Sequence, residues 1–434
     1  MTSNKPTKLT MRTYQVGFGD CFLLTFHYKK FDRHLLIDFG STGTKKNMGP
    51  KLMNRVARDI REQCGGKLHA VVATHRHKDH ISGFTTTGGK NSSGSIIASC
   101  DPDVVVQPWT EHPEANPITG KVKNSDSKQL AFGTALRDMH AISAAVLDEV
   151  ERRKSMIGQQ LHRELSFLGE DNLSNLSAVK NLMAMGNGKN KEGKEKQSYY
   201  VNFGSKSGLE SVLPGVKIKV LGPPSLEQSE EIRSMKSKDE EEFWHFQAVA
   251  GELAANPKGK MFQGAGTYPA SSVPPSTRWF IDRMKSIRGS QLLGIMRALD
   301  KVMNNTSLIL LFEVGGKKLL FPGDAQIENW SYALSKPAVR KALAGVNLYK
   351  VGHHGSLNAT PKSLWRLFKN RSPKKKSGRL QAVVSTMSGK HGSPPKTEVP
   401  RRPLVNALTQ ETDFFTTQDL KGPKNIRKDF LLDL

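Results

Sequence analysis

Cysteine is scarce in this chain. Cys21, Cys64 and Cys100 stand far apart among 434 residues, and none of them belongs to a CxxC pair. Disulfide frameworks and zinc fingers need cysteines at close, paired spacings, so the sequence argues against both classes of protein. Sparse, unpaired cysteines are typical of reduced thiols, and we therefore expect a cytoplasmic protein.

Long apolar runs are also lacking. No stretch approaches the roughly 18 to 20 apolar residues that cross a bilayer, and the opening residues MTSNKPTKLTMRTYQ contain no apolar segment typical of a signal peptide. Hydrophobic residues make up 37% of the chain and are spread along it, which indicates a folded protein. We expect no secretory signal and no membrane partner.

Acidic residues are few compared with basic ones. Forty Asp and Glu face 65 Lys and Arg, which leaves a net charge of +25. The excess is concentrated in residues 357–402, which carry twelve basic side chains and a single acidic one, Glu398. Such a segment favours a polyanion bound in a salt-dependent way, and we expect nucleic acid to contact Lys374, Lys375, Lys376 and Arg379. The alternative is a solvated loop with no partner.

Strand and helix patterns alternate in the first hundred residues. The segments RTYQVGF, CFLLTFHY and HLLIDFG read as paired strands, residues 52–64 as a helix ended by Gly65 and Gly66, and LHAVVAT as a buried strand. This alternation predicts an α/β or layered α+β domain. Further strands are predicted at VKIKVLGPP, TSLILLFEV, KKLLFPGD, VNLYKVGHH and LQAVVSTMS.

The predicted organisation is two strand-rich halves separated by helical and loop-rich insertions. The predicted parts are a first half (residues 1–125), a mainly helical insertion (126–212), a core strand (213–224), a second insertion of helix and loop (225–303), and a second half with the basic segment (304–434). We find no internal repeat at the periods of solenoid proteins.

A histidine cluster follows the predicted strand LHAVVAT. Three imidazoles and one carboxylate lie within six residues, His75, His77, Asp79 and His80. Imidazole nitrogen and carboxylate oxygen are ligands that suit zinc, manganese or iron. Alternate spacing places His75 and His77 on one side of an extended loop, where both can reach one ion, while Asp79 and His80 can face a second. The competing interpretation is a solvated polar loop.

The order of the motifs resembles the metallo-β-lactamase superfamily. HLLIDFG, ATHRHKDH, LLFPGD and YKVGHHGS match its ordered motifs, and VGFGDCFLL, VLGPP, NNTSLILLF and GKHGSPP are similar to words in the hydrolase domain of bacterial DNA-uptake (competence) channel proteins. The resemblance covers both ends of the chain but not residues 126–212 or 225–300. It implies an α+β four-layer αβ/βα sandwich with a large helical and loop-rich insertion.

The resemblance also implies roles for individual residues in binding two divalent ions. Zinc is the expected metal, with manganese as the alternative. The implied ligands are His75 and His77 for the first ion, Asp79 and His80 for the second, Asp324 between them, and either His353 or His354 to complete the second site.

Three further positions follow from the same resemblance. Asp38 is expected to hold a ligand histidine in the correct tautomer, and His391 to contact or protonate the leaving group. The superfamily usually supplies a third histidine to the first metal. The nearest candidate is His112, and Glu111 beside it is an equal alternative. If neither serves, we expect the first site to be weak or open.

The expected chemistry is hydrolysis by a metal-activated hydroxide, since water between two ions ionises near neutral pH. No GxSxG or Cys/His pattern supplies a protein nucleophile. The basic segment and the resemblance favour a phosphodiesterase or nuclease acting on DNA or RNA. The alternatives are a small-molecule ester, lactone or cyclic-nucleotide hydrolase, or a subunit whose activity depends on a protein partner or a second copy bound through the helical insertion.

Overall fold

The computed structural model describes residues 5–112, 165, 176–225, 228–229, 303–356, 360–390 and 398–434. Within these residues the protein is a mixed α/β structure with two mixed sheets and helices. Most of both predicted insertions lies outside the described residues, and so does His391.

In the described part of the chain, the first sheet has seven strands: β1 (Lys8–Tyr14), β2 (Cys21–His27), β3 (Asp32–Phe39), β4 (Ala70–Val72), β5 (Val104–Pro108), β6 (Gln197–Val201) and β13 (Arg427–Asp433). Their order in the sheet is β13-β1-β2-β3-β4-β5-β6. Strands β3 to β6 run parallel, while β13, β1 and β2 are antiparallel to their neighbours.

The second sheet has six strands among the described residues, in the order β12-β11-β10-β9-β8-β7. Here β9 to β12 are parallel, and β7 and β8 are antiparallel. The strands are β7 (Lys217–Gly222), β8 (Ile309–Val314), β9 (Lys317–Phe321), β10 (Leu348–Lys350), β11 (Gln381–Val384) and β12 (Asp413–Thr416).

The two sheets share one apolar cluster. Alternate residues of β3 show why: Leu35 and Ile37 belong to the cluster that also contains β8 and β9, whereas Leu36 belongs to a cluster with the helices on the opposite face. The rings of Phe22 and Phe321, one from each sheet, lie 5.8 Å apart edge to face. This arrangement is compatible with an α+β sandwich.

Helices cover the outer face of each sheet. On the first sheet lie α1 (Leu52–Gln63), α3 (Ser93–Ser99) and α4 (Leu176–Met185), and on the second α5 (Ile327–Ser335), α6 (Pro337–Leu343), α7 (Lys362–Leu367) and α8 (Arg402–Glu411). The short α2 (Lys78–Ile81) lies at the histidine cluster. No helix within the described residues is both long and apolar enough to pass through a bilayer.

Helix α1 follows the sequence prediction closely. Leu52, Val56 and Ile60 are buried at helical spacing, and the helix ends before Gly65 and Gly66, which have positive φ angles of 57° and 76°. The described end of the segment predicted as a mainly helical insertion, residues 176–212, includes α4 and β6. Strand β6 pairs with β5, so this stretch is part of the first sheet and its helical layer.

Two buried histidines make the fold sensitive to acid. Burial lowers the pKa of His34 to about 4 and that of His69 to about 3, so both are neutral in the folded protein at neutral pH. Unfolding lets them bind protons below their ordinary pKa of about 6.5. We expect the free energy of unfolding to fall as the pH drops from about 6.5 toward 4, by about 1.4 kcal/mol per pH unit for each histidine.

This expectation can be checked by denaturant unfolding in the presence of a chelator at a series of pH values, for the parent and for His34→Gln. The slope of the free energy of unfolding against pH should be smaller in the variant, by the contribution of about one proton. Parallel pH curves for the two proteins would contradict it.

Candidate metal centre

Asp38 ties the ends of β3 and β4 together. It is the extra residue of a bulge in β3 opposite Cys21 and Phe22, and its φ angle is +54°. The bulge turns its carboxylate toward the next strand, where Oδ1 accepts from the backbone N–H of Thr74 (2.7 Å) and Oδ2 from the Thr74 hydroxyl (2.8 Å). A left-handed φ costs a non-glycine residue roughly 1–2 kcal/mol, which these bonds offset.

Glycines let the neighbouring loops approach the histidine cluster. A Cβ atom at Gly40 would lie 2.4 Å from the carbonyl carbon of Asp79 and from the nitrogen of His80. Gly19 has a φ of +157°, and a Cβ there would lie 2.3 Å from the carbonyl oxygen of Gly40. The small residues in GFGD and DFG therefore allow backbone to pack directly beneath Asp79 and His80.

Four buried side chains converge at the carboxyl ends of the parallel strands in the two sheets. This four-residue group consists of Asp79, His80, Asp324 and His354. The Nε2 atom of His354 lies 2.7 Å from Oδ2 of Asp79, and Nε2 of His80 lies 3.1 Å from Oδ2 of Asp324. Ligand atoms on one tetrahedral ion stand about 3.3 Å apart, given metal–ligand bonds of about 2.0–2.1 Å. The group can hold a metal ion.

The outer nitrogens of both histidines are engaged elsewhere. His80 Nδ1 contacts Oδ2 of Asp38 at 2.8 Å, and His354 Nδ1 contacts the carbonyl oxygen of Ser385, also at 2.8 Å. Both Nε2 atoms therefore face the group, as metal ligands do. Oδ1 of Asp79 is buried without a hydrogen-bond partner, a costly state that a bound cation would relieve.

The electrostatics of the group favour a cation. Burial opposes charge on His80, but the carboxylates of Asp324, Asp79 and Asp38 raise its pKa well above the ordinary value. Burial likewise opposes charge on His354, and Asp324 and Asp79 are among the groups that raise its pKa. A negative potential that retains protons also attracts a divalent ion, which displaces those protons on binding.

A second set of donors adjoins the first. His75, His77 and Asp79 form a buried three-residue group, in which Nε2 of His75 lies 3.0 Å from Nδ1 of His77. Burial and the neighbouring imidazoles of His80 and His77 lower the pKa of His75 well below its usual value, so its ring is neutral and able to coordinate. Asp79 belongs to both groups, whereas Asp324 belongs to the four-residue group.

Two charged residues that the sequence prediction missed lie beneath these groups. The ammonium of Lys350, only 2% exposed, forms an ion pair with Asp20, donates to the Gly323 carbonyl (3.2 Å) and lies 3.6 Å from Oδ1 of Asp324. Burial would lower the pKa of Lys350, but Asp20 and Asp324 raise it. The available signal was a charged residue inside each of the apolar words VGFGDCFLL and VNLYKV.

Lys350 also orients Asp324. Oδ1 of this carboxylate accepts from the backbone N–H of His353 (3.1 Å) and faces Lys350, which leaves Oδ2 directed at His80 and His354. The carboxylates of Asp20 and Asp38 also lie near His80, but Lys350 and Thr74 already engage them. We therefore regard these two aspartates as supports of the ligands.

The structure separates the two histidines of the HHG motif. His354 is fully buried in the four-residue group. His353 is 17% exposed, its Nδ1 contacts the Ser356 hydroxyl (2.8 Å), and its Nε2 is 3.9 Å from Asp324. Both have left-handed φ angles, 43° and 52°, a strained turn that directs their rings in different directions.

Neither candidate for the third ligand of the first ion joins the three-residue group. Both carboxylate oxygens of Glu111 accept from Arg76, at 2.8 Å each, in a buried ion pair. The ring of His112 packs against Tyr200 at 4.8 Å, and His112 is in none of the donor groups found among the described residues. The three-residue group therefore has no third histidine in this part of the chain.

The predicted nucleic-acid residues lie away from the donor groups. Lys374, Lys375 and Lys376 are exposed, but they precede β11, whose opposite end carries Ser385 beside His354. Arg379 is buried, with its guanidinium bonded to Asp413 (3.0 Å) and to two backbone carbonyls. Proximity in sequence to the ligands is therefore not proximity in space, and Arg379 anchors the loop.

The described site can thus hold a cation between buried aspartates and histidines drawn from both halves of the chain. Comparison with known proteins assigns no family, because no family model matches the chain and no curated protein matches it significantly.

Replacing His354 and His353 separately tests which one binds metal. We expect His354→Ala to weaken Zn²⁺ or Mn²⁺ binding more than about 100-fold, because loss of an outer partner alone costs about 10- to 100-fold. His353→Ala is the matched control and should bind close to normally. Calorimetric titration of the metal-free proteins gives the affinities, and equal losses in the two variants would contradict the assignment.

Replacing Asp38 tests its support of His80. Asp38→Asn should weaken metal binding by about 10- to 100-fold, since the amide no longer offers a charged acceptor to His80 Nδ1. Asp59→Asn is the control, because Asp59 bonds Tyr14 and Arg427 outside the donor groups. Unchanged affinity in Asp38→Asn, with the fold intact by circular dichroism, would refute the role.

Proposed function

We propose that this protein is a metal-dependent hydrolase of the metallo-β-lactamase fold that cleaves phosphodiester bonds of DNA or RNA. The observation that carries the proposal is the pair of buried donor groups that share Asp79 at the carboxyl edge of the sheets. Two adjacent groups of this kind suit two divalent ions. The mixture of imidazole and carboxylate favours zinc, with manganese as the alternative.

The assignment to this fold family is supported by how its motifs are arranged in space. The histidine cluster follows β4, Asp324 follows β9, and His354 follows β10, yet they meet in one group. Asp38 supports His80 in the way that the resemblance implies. The layers of two sheets with helices outside are compatible with the same family.

The residues of the chain divide the work between binding and orientation. The two donor groups would hold divalent ions, which would supply Lewis-acid catalysis for hydrolysis. Asp38 and the Ser385 carbonyl keep the rings of His80 and His354 turned inward, and Lys350 with the His353 N–H keeps Oδ2 of Asp324 directed at the ligands. Such fixed polar groups need no reorganisation during reaction.

Basic side chains at the same edge support an anionic substrate. Lys45 follows β3, Lys390 follows β11, and Lys421 follows β12, so all three lie at the carboxyl edge. Lys390 extends across Gly43, where a Cβ would lie 3.0 Å from its Cε. Burial and the charge of Lys421 lower the pKa of Lys45, although Asp419 opposes this shift. Adjacent positive charges are suited to a phosphate backbone.

The test is cleavage of labelled single-stranded DNA, duplex DNA and RNA by the parent protein loaded with Zn²⁺ or Mn²⁺. Asp79→Ala removes the residue common to both groups and should reduce cleavage at least about 100-fold, because metal catalysis is worth several kcal/mol. Asp59→Asn should retain the parent's rate.

Metal content is measured on each protein, so that loss of activity can be compared with loss of metal. If the metal-loaded parent cleaves none of these polymers while it hydrolyses an ester, a lactone or a cyclic nucleotide, the phosphodiesterase proposal is wrong and the small-molecule alternative replaces it. Cleavage by Asp79→Ala at the parent's rate would also contradict it.

A further inference from the structure

The basic loop of residues 372–379 lies at the amino ends of the parallel strands of the second sheet. The metal groups lie at the opposite, carboxyl ends of these strands. Strands β10 and β11 are parallel, with Leu348 beside Gln381 at one end and Lys350 beside Val383 at the other. Strand β11 ends next to Ser385, whose carbonyl contacts His354, whereas the basic loop leads into the beginning of β11. Five residue steps from 380 to 385 correspond to about 16 Å along the strand.

The loop is held in a defined position. The Arg379 guanidinium donates to the Ser372 carbonyl (2.8 Å), to the Gln410 carbonyl (2.6 Å) and to Asp413 (3.0 Å). The backbone N–H of Ser372 donates to the Glu411 carbonyl at 2.9 Å. Both ends of the loop are thus fixed to the end of α8 and the start of β12.

The amino ends of these strands carry a net positive charge, because the two nearby acidic residues each pair with an arginine and leave the lysines uncompensated. Glu411 forms an ion pair with Arg371, and Asp413 forms one with Arg379. The lysines between these arginines project into solvent. The exposed lysines of this surface, which we call the distal basic surface, are Lys341, Lys369, Lys374, Lys375 and Lys376. Lys369 donates its backbone N–H to the Ala344 carbonyl, which places it beside the end of the helix that carries Lys341.

We propose that the distal basic surface is a second binding site for the nucleic-acid backbone, separate from the hydrolytic site. The inference rests on the proposed function for its substrate class. Exposed lysines are point charges that contact phosphates without reading bases, so binding here is independent of sequence. One polymer then contacts the protein at both edges, and the distal contact raises its effective concentration at the metal groups.

The separation of the two sites predicts a length dependence. A duplex rises about 3.4 Å per base pair, so about 16 Å corresponds to roughly five base pairs as a minimum. Substrates shorter than this cannot bridge the two edges. The contribution of the distal basic surface should therefore grow once the nucleic acid extends beyond that length.

The experiment compares Lys374→Ala/Lys375→Ala/Lys376→Ala with Lys8→Ala/Lys29→Ala/Lys30→Ala. The second triple variant removes the same charge from exposed residues of β1 and of the turn between β2 and β3, and it is the matched control. Binding to labelled duplexes of about 4 to about 30 base pairs is measured by fluorescence anisotropy without metal, over a range of salt. The Asp79→Ala background prevents cleavage.

For the longest duplexes, the loop variant should bind at least about tenfold more weakly than the control, with a salt slope smaller by up to about 3. The deficit should increase with length. Equal binding of long duplexes by the two triple variants, or a deficit independent of length, would overturn the proposal. A length-dependent deficit in a protein that cleaves no nucleic acid would support the distal site while refuting the proposed function.

Discussion

Four carboxylates, those of Asp20, Asp38, Asp79 and Asp324, are buried together at one edge of the described structure, and the rest of the site is arranged around the cost of that burial. Uncompensated buried charge is strongly unfavourable, so each carboxylate needs a partner. Asp20 has Lys350, Asp38 has Thr74 and His80, and Asp324 has Lys350 and a backbone N–H. Oδ1 of Asp79 has no hydrogen-bond partner, so a cation bound beside it would offset the cost of its burial.

The sequence could predict the parts of this site whose signal is local. The cluster of His75, His77, Asp79 and His80, the helix at residues 52–64 and the strands around it were accessible because periodicity and ligand chemistry are visible in a short window. The choice of His354 over His353 was not accessible, because it depends on two consecutive left-handed residues that turn the rings apart. Asp20 and Lys350 were missed because an ion pair between residues 330 positions apart has no local pattern.

The loop of residues 374–379 is close to the metal ligands in sequence but separated from them in space. Residues 374–379 follow His354 closely in the chain, and this adjacency favoured a polyanionic substrate. Helix α7 lies between them, and the chain returns to the start of the parallel strand β11, so the loop lies at the opposite ends of the strands. The lysines at the carboxyl edge, Lys45, Lys390 and Lys421, come instead from three distant segments and form no run in the sequence. Charge density along a chain is thus a poor guide to charge density on a surface.

Strand β13 pairs along the whole of β1, from Lys8 opposite Asp433 to Tyr14 opposite Arg427, although it follows the last strand of the second sheet. During synthesis the ribosome completes the remaining strands of the first sheet long before residues 427–433 emerge. Until then β1 has an unpaired edge, a template for pairing with other nascent chains. Once β13 pairs, it becomes the outer strand of the described sheet, and its charged residues Arg427, Lys428 and Asp429 oppose edge-to-edge pairing with other chains.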